Sequence, residues 1–166
     1  MTRKSPKRLR FLAALGAGLF LTIGVAACGS DDKADKQADK PTEQAFLKAM
    51  TPHHESAIEM AKIAEREGER PEIRRLAGSI DSTQSEEIKQ MERLYRELFG
   101  GEITPSAKAH EQLGLSAKEA GGGHDAAAKL EGAKPFDRAF IDEMVPHHQG
   151  AIRMARVVLD RGDDPE

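Results

Sequence analysis

Two stretches of this 166-residue chain are copies of one another. Phe46 to Glu72 and Phe140 to Glu166 align without a gap at an offset of 94, and 12 of 27 positions are identical. Average composition would give about two by chance. A repeat of this length is one supersecondary unit that needs its neighbour to bury its apolar face. Both copies keep Met, Pro, His-His, Ala-Ile, Met-Ala, then Gly and Pro-Glu, but not the charges between them.

The repeat unit reads as helix. Aromatic residues make up 4% and Trp is absent, so the core must be aliphatic, Ala-rich and Met-rich, which favours helix on helix. Copy one predicts a helix over about 43–67, a turn at Gly68–Pro71 and a second helix over about 72–99. In that second helix Ile73, Leu76, Ala77, Ile80, Gln84, Ile88, Met91, Tyr95 and Leu98 recur at steps of three and four, and Gly100-Gly101 ends it. Copy two reaches its own turn, Gly162–Pro165, at the last residues of the sequence. The expected fold is therefore all-α, an up-down bundle from a duplicated helical hairpin whose second half is incomplete. A homodimer is one way to complete it. Repeat one spans 43–99, a linker 100–135 and repeat two 136–166. In the linker, Ser116 to Glu119 fits a capping box and Thr104-Pro105 fits a helix start. One or two short helices, broken at Gly121-Gly122-Gly123, are expected, with His110 and His124 at the surface.

Ahead of the repeat lies an address. Five basic residues fall within the first ten positions, and Phe11 to Ala27 is apolar and uncharged. Val25-Ala26-Ala27-Cys28-Gly29 follows. This order marks a bacterial signal peptide, residues 1–27. A cysteine after small residues resembles a lipobox, which implies lipidation at Cys28 and a lipid anchor on the outer face of the plasma membrane or in the periplasm. An uncleaved transmembrane helix and a buried free cysteine stay open as other readings of the segment. Residues 28–42 are polar and read as a disordered tether. From Cys28 onward 20 basic residues face 28 acidic ones. Such an acidic domain suits cations and argues against nucleic acid as a partner.

The motif itself carries chemistry. At about 100° per residue, His53, His54 and Met60 fall within about 80° of Met50, on the apolar side. Met144, His147, His148 and Met154 repeat that arrangement. Pro52 and Pro146 lack an N–H, so each helix either kinks there or restarts, freeing a carbonyl near Lys48 or Glu143. Imidazole with thioether suits copper, as Cu(I) or Cu(II). Zinc sites more often use Cys or carboxylate beside His, and calcium and magnesium take oxygen. Gln84, Glu87 and Met91 lie on or beside the inward stripe of the second helix, where Gln84 or Glu87 can accept the second N–H of a motif histidine. Core methionines and hydrogen-bonded core histidines are the bland alternative. A di-metal oxidase needs several inward Glu and Glu-x-x-His pairs, which these helices lack, so no enzyme is expected. A helical interaction module that senses pH through buried His is a further alternative.

The duplicated F-x-x-x-M-x-P-H-H-x-x-A-I-x-M-A, with Gln84, Glu87, Ile88 and Met91 on the next helix, resembles the ferritin-like family of domains of unknown function called DUF305. The first set is Phe46, Met50, Pro52, His53, His54, Ala57, Ile58, Met60 and Ala61. The second is Phe140, Met144, Pro146, His147, His148, Ala151, Ile152, Met154 and Ala155. The resemblance covers about 43–166. It implies a four-helix ferritin-like bundle, export from the cytoplasm and copper binding in the members studied. This chain departs from the pattern in its incomplete second copy and in a linker without methionine.

The anchor is testable directly. A Cys28→Ala chain should leave the membrane fraction of a bacterial host and take up no labelled fatty acid. Unchanged membrane retention and labelling would rule out Cys28 as the attachment point.

Overall fold

The computed structural model describes residues 40–122 and 125–161. The signal segment, Cys28, tether residues 28–39, Gly123, His124 and the turn at 162–165 lie outside the described residues. Four α-helices follow in order: α1 Lys40–Glu67, α2 Pro71–Phe99, α3 Ala126–Leu130 and α4 Phe136–Arg161. Together they form an all-α bundle, with no strand among the described residues. None of these helices is long and apolar enough to cross a membrane.

Helix α1 begins at Lys40, inside the stretch expected as tether. Pro41 suits a first turn because that turn needs no N–H from it, and Glu43 there complements the helix dipole. The helix runs unbroken through Pro52, and α4 does the same through Pro146, so neither restarts at its proline. The missing N–H of Pro52 frees the carbonyl four residues back, that of Lys48. Ser106 N donates to it at 2.8 Å. The equivalent acceptor in α4 is the carbonyl of Asp142, one residue before Glu143. A local defect in α1 thereby becomes the docking point of the linker.

The α1–α2 turn is built from Gly68, buried with its N–H on Ala64 O at 3.0 Å, and from Pro71 at the first position of α2. Asp137 of α4 caps that turn. Its carboxylate accepts from Glu69 N at 2.8 Å, Arg70 N at 3.2 Å and Arg70 Nε at 2.9 Å, while Phe136 N donates back to Glu69 Oε1 at 3.2 Å. Burial works to raise the Asp137 carboxyl, but the bonds from Arg70 and the two amides outweigh it and hold it below its usual value. The start of copy two is thus tied to the hairpin of copy one.

The core has two parts. Met60, Ala61 and Ala64 of α1 join Ile73 of α2 and Phe136, Phe140 and Met144 of α4. Met50, Leu47 and Ala49 of α1 join Met91 and Tyr95 of α2, Met154 of α4 and the linker residues Ala109, Leu113 and Ala120. The early half of α1 therefore shares a cluster with the late half of α4, and the reverse. The two copies cross antiparallel, with His53 and His147 at the middle.

The copies are not equally covered. Leu47, Thr51 and Ile58 are 3%, 2% and 8% exposed, whereas their repeat equivalents Ile141, Val145 and Ile152 are 36%, 51% and 51% exposed. Helix α2 lies along α1, and no described helix plays that part for α4.

The linker carries an expected short helix, α3, beyond the glycine run, and departs from expectation elsewhere. Thr104-Pro105 starts no helix: residues 102–106 are irregular, and Ser106 N donates to Lys48 O. The capping box does form, Ser116 N on Glu119 Oε2 at 2.9 Å and Glu119 N on Ser116 Oγ at 3.3 Å, but it closes only a short turn ending near Gly122. A 3-10 turn at Ala109–Glu111 holds His110, which is 8% exposed rather than a surface residue. The linker buries it by folding back over α1.

That closure rests on Gly150. A Cβ there would lie 2.2 Å from Ala120 C and O, and one on Gly121 (φ +74°) would meet His147 O at 2.5 Å. Gly150→Ala should cost about 1–3 kcal/mol by overpacking, read as a lower denaturation midpoint with unchanged slope. Wild-type stability would show that the linker does not lie on α4.

Candidate metal centre

All eight motif side chains come from α1 and α4, and the crossing decides which of them meet. The His53 and His147 rings stack with centroids 3.7 Å apart at 36°. His53 Nε2 lies 3.1 Å from His147 O. A carbonyl only accepts, so Nε2 carries the proton and Nδ1 keeps the lone pair. That Nδ1 is buried with no partner. The adjacent His54 faces α2, its Nε2 donating to Glu87 Oε2 at 2.9 Å, and its Nδ1 is likewise buried and unpartnered.

Copy two is arranged differently. His148 Nδ1 donates to Met144 O at 3.2 Å, leaving the Nε2 lone pair 3.3 Å from the Gln84 amide nitrogen. Gln84 Oε1 and His147 Nδ1 are buried without partners. Helix α2 thus supplies one polar side chain to each copy, Glu87 to His54 and Gln84 to His148. Met91 sits apart, in the cluster with Met50 and Tyr95.

Burial, first of all, pushes His53 down to about 4, helped by repulsion from His54 and His148 and opposed by its bond to His147. Burial pushes His147 down to about 3, with the other three imidazoles adding to it. His54 is also lowered by burial, although Glu87 pulls the other way. At neutral pH these rings are uncharged. The His54–Glu87 contact, at ion-pair distance, is then a hydrogen bond from neutral imidazole to carboxylate. Each such ring offers a lone pair with no proton to displace.

The methionines divide across the crossing. Met60 and Met144 share one cluster, Met50 and Met154 the other, and all four are under 7% exposed. Met50 and Met60 of one motif therefore do not converge on their own His pair. Among the described residues no three His, Cys, Asp or Glu side chains gather closely enough to hold an ion by themselves. Two openings flank His53. A cleft of about 300 Å³ is lined by His53, His54, Gln84, Glu87 and His148. A cavity of about 100 Å³ on the linker side is lined by His53, His147, Met154 and His110. The donor set is thus imidazole plus thioether, which fits a soft ion of low coordination number. His110 escaped the sequence reading because it has no repeat partner. The acceptor freed by Pro52, which draws the linker inward, was the available signal.

A family pattern described as "Domain of unknown function (DUF305)" matches residues 43–166. No curated protein matches the chain. Among solved structures, CopM in its Cu(II)-bound form is 33% identical with a TM-score of 0.58, covering 74% of this chain and 78% of that one. CopM in its Cu(I)-bound form is 36% identical with a TM-score of 0.58, covering 74% and 77%. A DUF305 fragment from Deinococcus radiodurans is 27% identical with a TM-score of 0.60, covering 73% and 78%.

The buried rings set a pH response. Between pH 6.5 and about 4, the unfolded chain binds protons that His53 and His147 refuse when folded, so stability rises with pH across that window and levels above it. The metal-free chain should melt at a lower temperature at pH 4.5 than at pH 7, with His53→Asn/His147→Asn reducing the difference. Equal melting temperatures at the two pH values would contradict the buried neutral pair.

Proposed function

The chain belongs to the DUF305 family, and from that premise we propose that it binds a soft transition metal, most readily copper, as a non-enzymatic buffer or carrier. The observation that carries the proposal is the set of buried imidazole nitrogens, Nδ1 of His53, His54 and His147, that have no hydrogen-bond partner. Buried polar atoms ordinarily have one. In His53 and His54 the opposite nitrogen is engaged, by His147 O and by Glu87. Anchoring one nitrogen so that the other can bind is how protein metal sites orient imidazole.

Similarity to CopM, solved in Cu(I)-, Cu(II)- and Ag-bound forms, supports a soft cation as cargo. Met50, Met60, Met144 and Met154 are the thioether donors in this reading, with Met154 already lining the cavity beside His53 and His147. Gln84 and Glu87 orient His148 and His54. Glu87 is the one acidic side chain lining the open cleft, too few for a carboxylate-bridged di-metal oxidase. The same proposal has the bundle ferritin-like, exported, and held through lipidated Cys28 at the outer face of the membrane.

A His53→Ala/His54→Ala chain should bind Cu(I) about 10- to 100-fold more weakly in competition with a chromophoric chelator, with its helical circular dichroism retained. Unaltered affinity in that folded variant would remove the His pair from the site.

A further inference from the structure

On the linker side of the His53–His147 stack, the cavity of about 100 Å³ has one wall from each copy and one from the linker. Pro52 and His53 come from α1, His147 and Met154 from α4, and His110 from the 3-10 turn. His110 is 8% exposed, and its Nδ1 lies 2.6 Å from Ala107 O. The carbonyl can only accept, so Nδ1 carries the proton and Nε2 keeps the lone pair. His147 lines the same cavity, its Nδ1 is buried without a partner, and Met154, 1% exposed, contributes a thioether.

The wall that carries His110 is fastened at several points. Ser106 N bonds Lys48 O at 2.8 Å. Ala120 and Gly121 lie against Gly150 with no room for a Cβ. Arg153 Nη1 donates to Glu119 O at 3.0 Å. His110 therefore stands on a fixed support, with its tautomer set by its own turn.

We infer that this cavity is a separate binding position for a monovalent soft ion, Cu(I) or Ag(I), held by His110, His147 and Met154. Two imidazoles and a thioether fit an ion that accepts few, soft ligands. No three His, Cys, Asp or Glu side chains gather closely enough to hold an ion among the described residues, and the third donor here is the thioether of Met154, which lines the same cavity. The position is distinct from the open cleft on the other side of His53, where His54, His148 and Glu87 lie. It rests on the reading of the protein as a soft-metal binder and adds a linker residue outside the repeated motif.

The test is a titration of the full chain with diamagnetic Ag(I), followed through imidazole ¹⁵N resonances and by binding stoichiometry. The His110 Nε2 resonance should move to the position of a metal-bound imidazole nitrogen while Nδ1 stays protonated. His110→Gln should lose one bound equivalent, or bind it roughly 10- to 100-fold more weakly, while the equivalent that depends on His54 stays. The wild-type spectrum decides the matter even if the variant folds poorly. Ag(I) binding with an unmoved His110 resonance overturns this position and leaves the motif reading intact. No Ag(I) binding by the wild-type chain overturns both.

Discussion

At the crossing of α1 and α4, an imidazole N–H of one copy is donated to the backbone of the other over 3.1 Å, and the two rings lie face to face. Residues related by the 94-residue offset meet there, so the crossing is the centre of a two-fold arrangement within one chain. Everything else is arranged about it. The two core clusters lie on opposite sides, each taking one methionine from each motif. The stack buries both rings, which lowers their pKa values and keeps them neutral, and it divides the space into a cleft towards α2 and a cavity towards the linker. The cost is three buried nitrogens without partners, a burden that a purely structural contact gives no reason to carry.

Proline sets up the geometry around that centre. Pro52 remains inside a continuous helix, but the carbonyl it strands is taken by Ser106. Together with the seat of Ala120 and Gly121 on Gly150 and the Arg153–Glu119 contact, this bond holds the linker in place and closes a wall that the repeat alone does not provide. The other long-range tie, Asp137 on the α1–α2 turn, fixes the start of α4. Between them, a capped turn and a stranded carbonyl position copy two on copy one.

Much of this was legible in the residues. The three- and four-residue spacing placed α1 and α2 to within a few positions, and the inward stripe of α2 put Gln84 and Glu87 where they meet His148 and His54. Local periodicity describes one helix face well because each turn repeats the same physics. It cannot say which helices cross or in which direction. The grouping of Met50 with Met60 followed from one helix face, whereas the antiparallel crossing pairs Met50 with Met154 and Met60 with Met144. The linker was misread for a related reason. Thr104-Pro105 has the local signature of a helix start, yet the backbone there stays irregular, and the next amide, Ser106 N, donates to Lys48 more than fifty residues away. His110, with no repeat partner, reads as a surface histidine on the usual exposure of polar residues, while its burial comes from long-range contacts of the linker.

The seat of the linker on Gly150 has a consequence for the history of such a molecule. A freshly duplicated hairpin has two interchangeable halves, and a segment joining them has two equivalent faces on which to settle. In such a chain the side chains at the two equivalent positions are alike and favour neither face. The position equivalent to Gly150 in the first copy is Ser56, whereas at Gly150 any Cβ would collide with Ala120 and Gly121, so α4 seats the linker only because glycine stands there. One missing side chain thus lifts the degeneracy, and a symmetric ancestor becomes a molecule with a single lidded side.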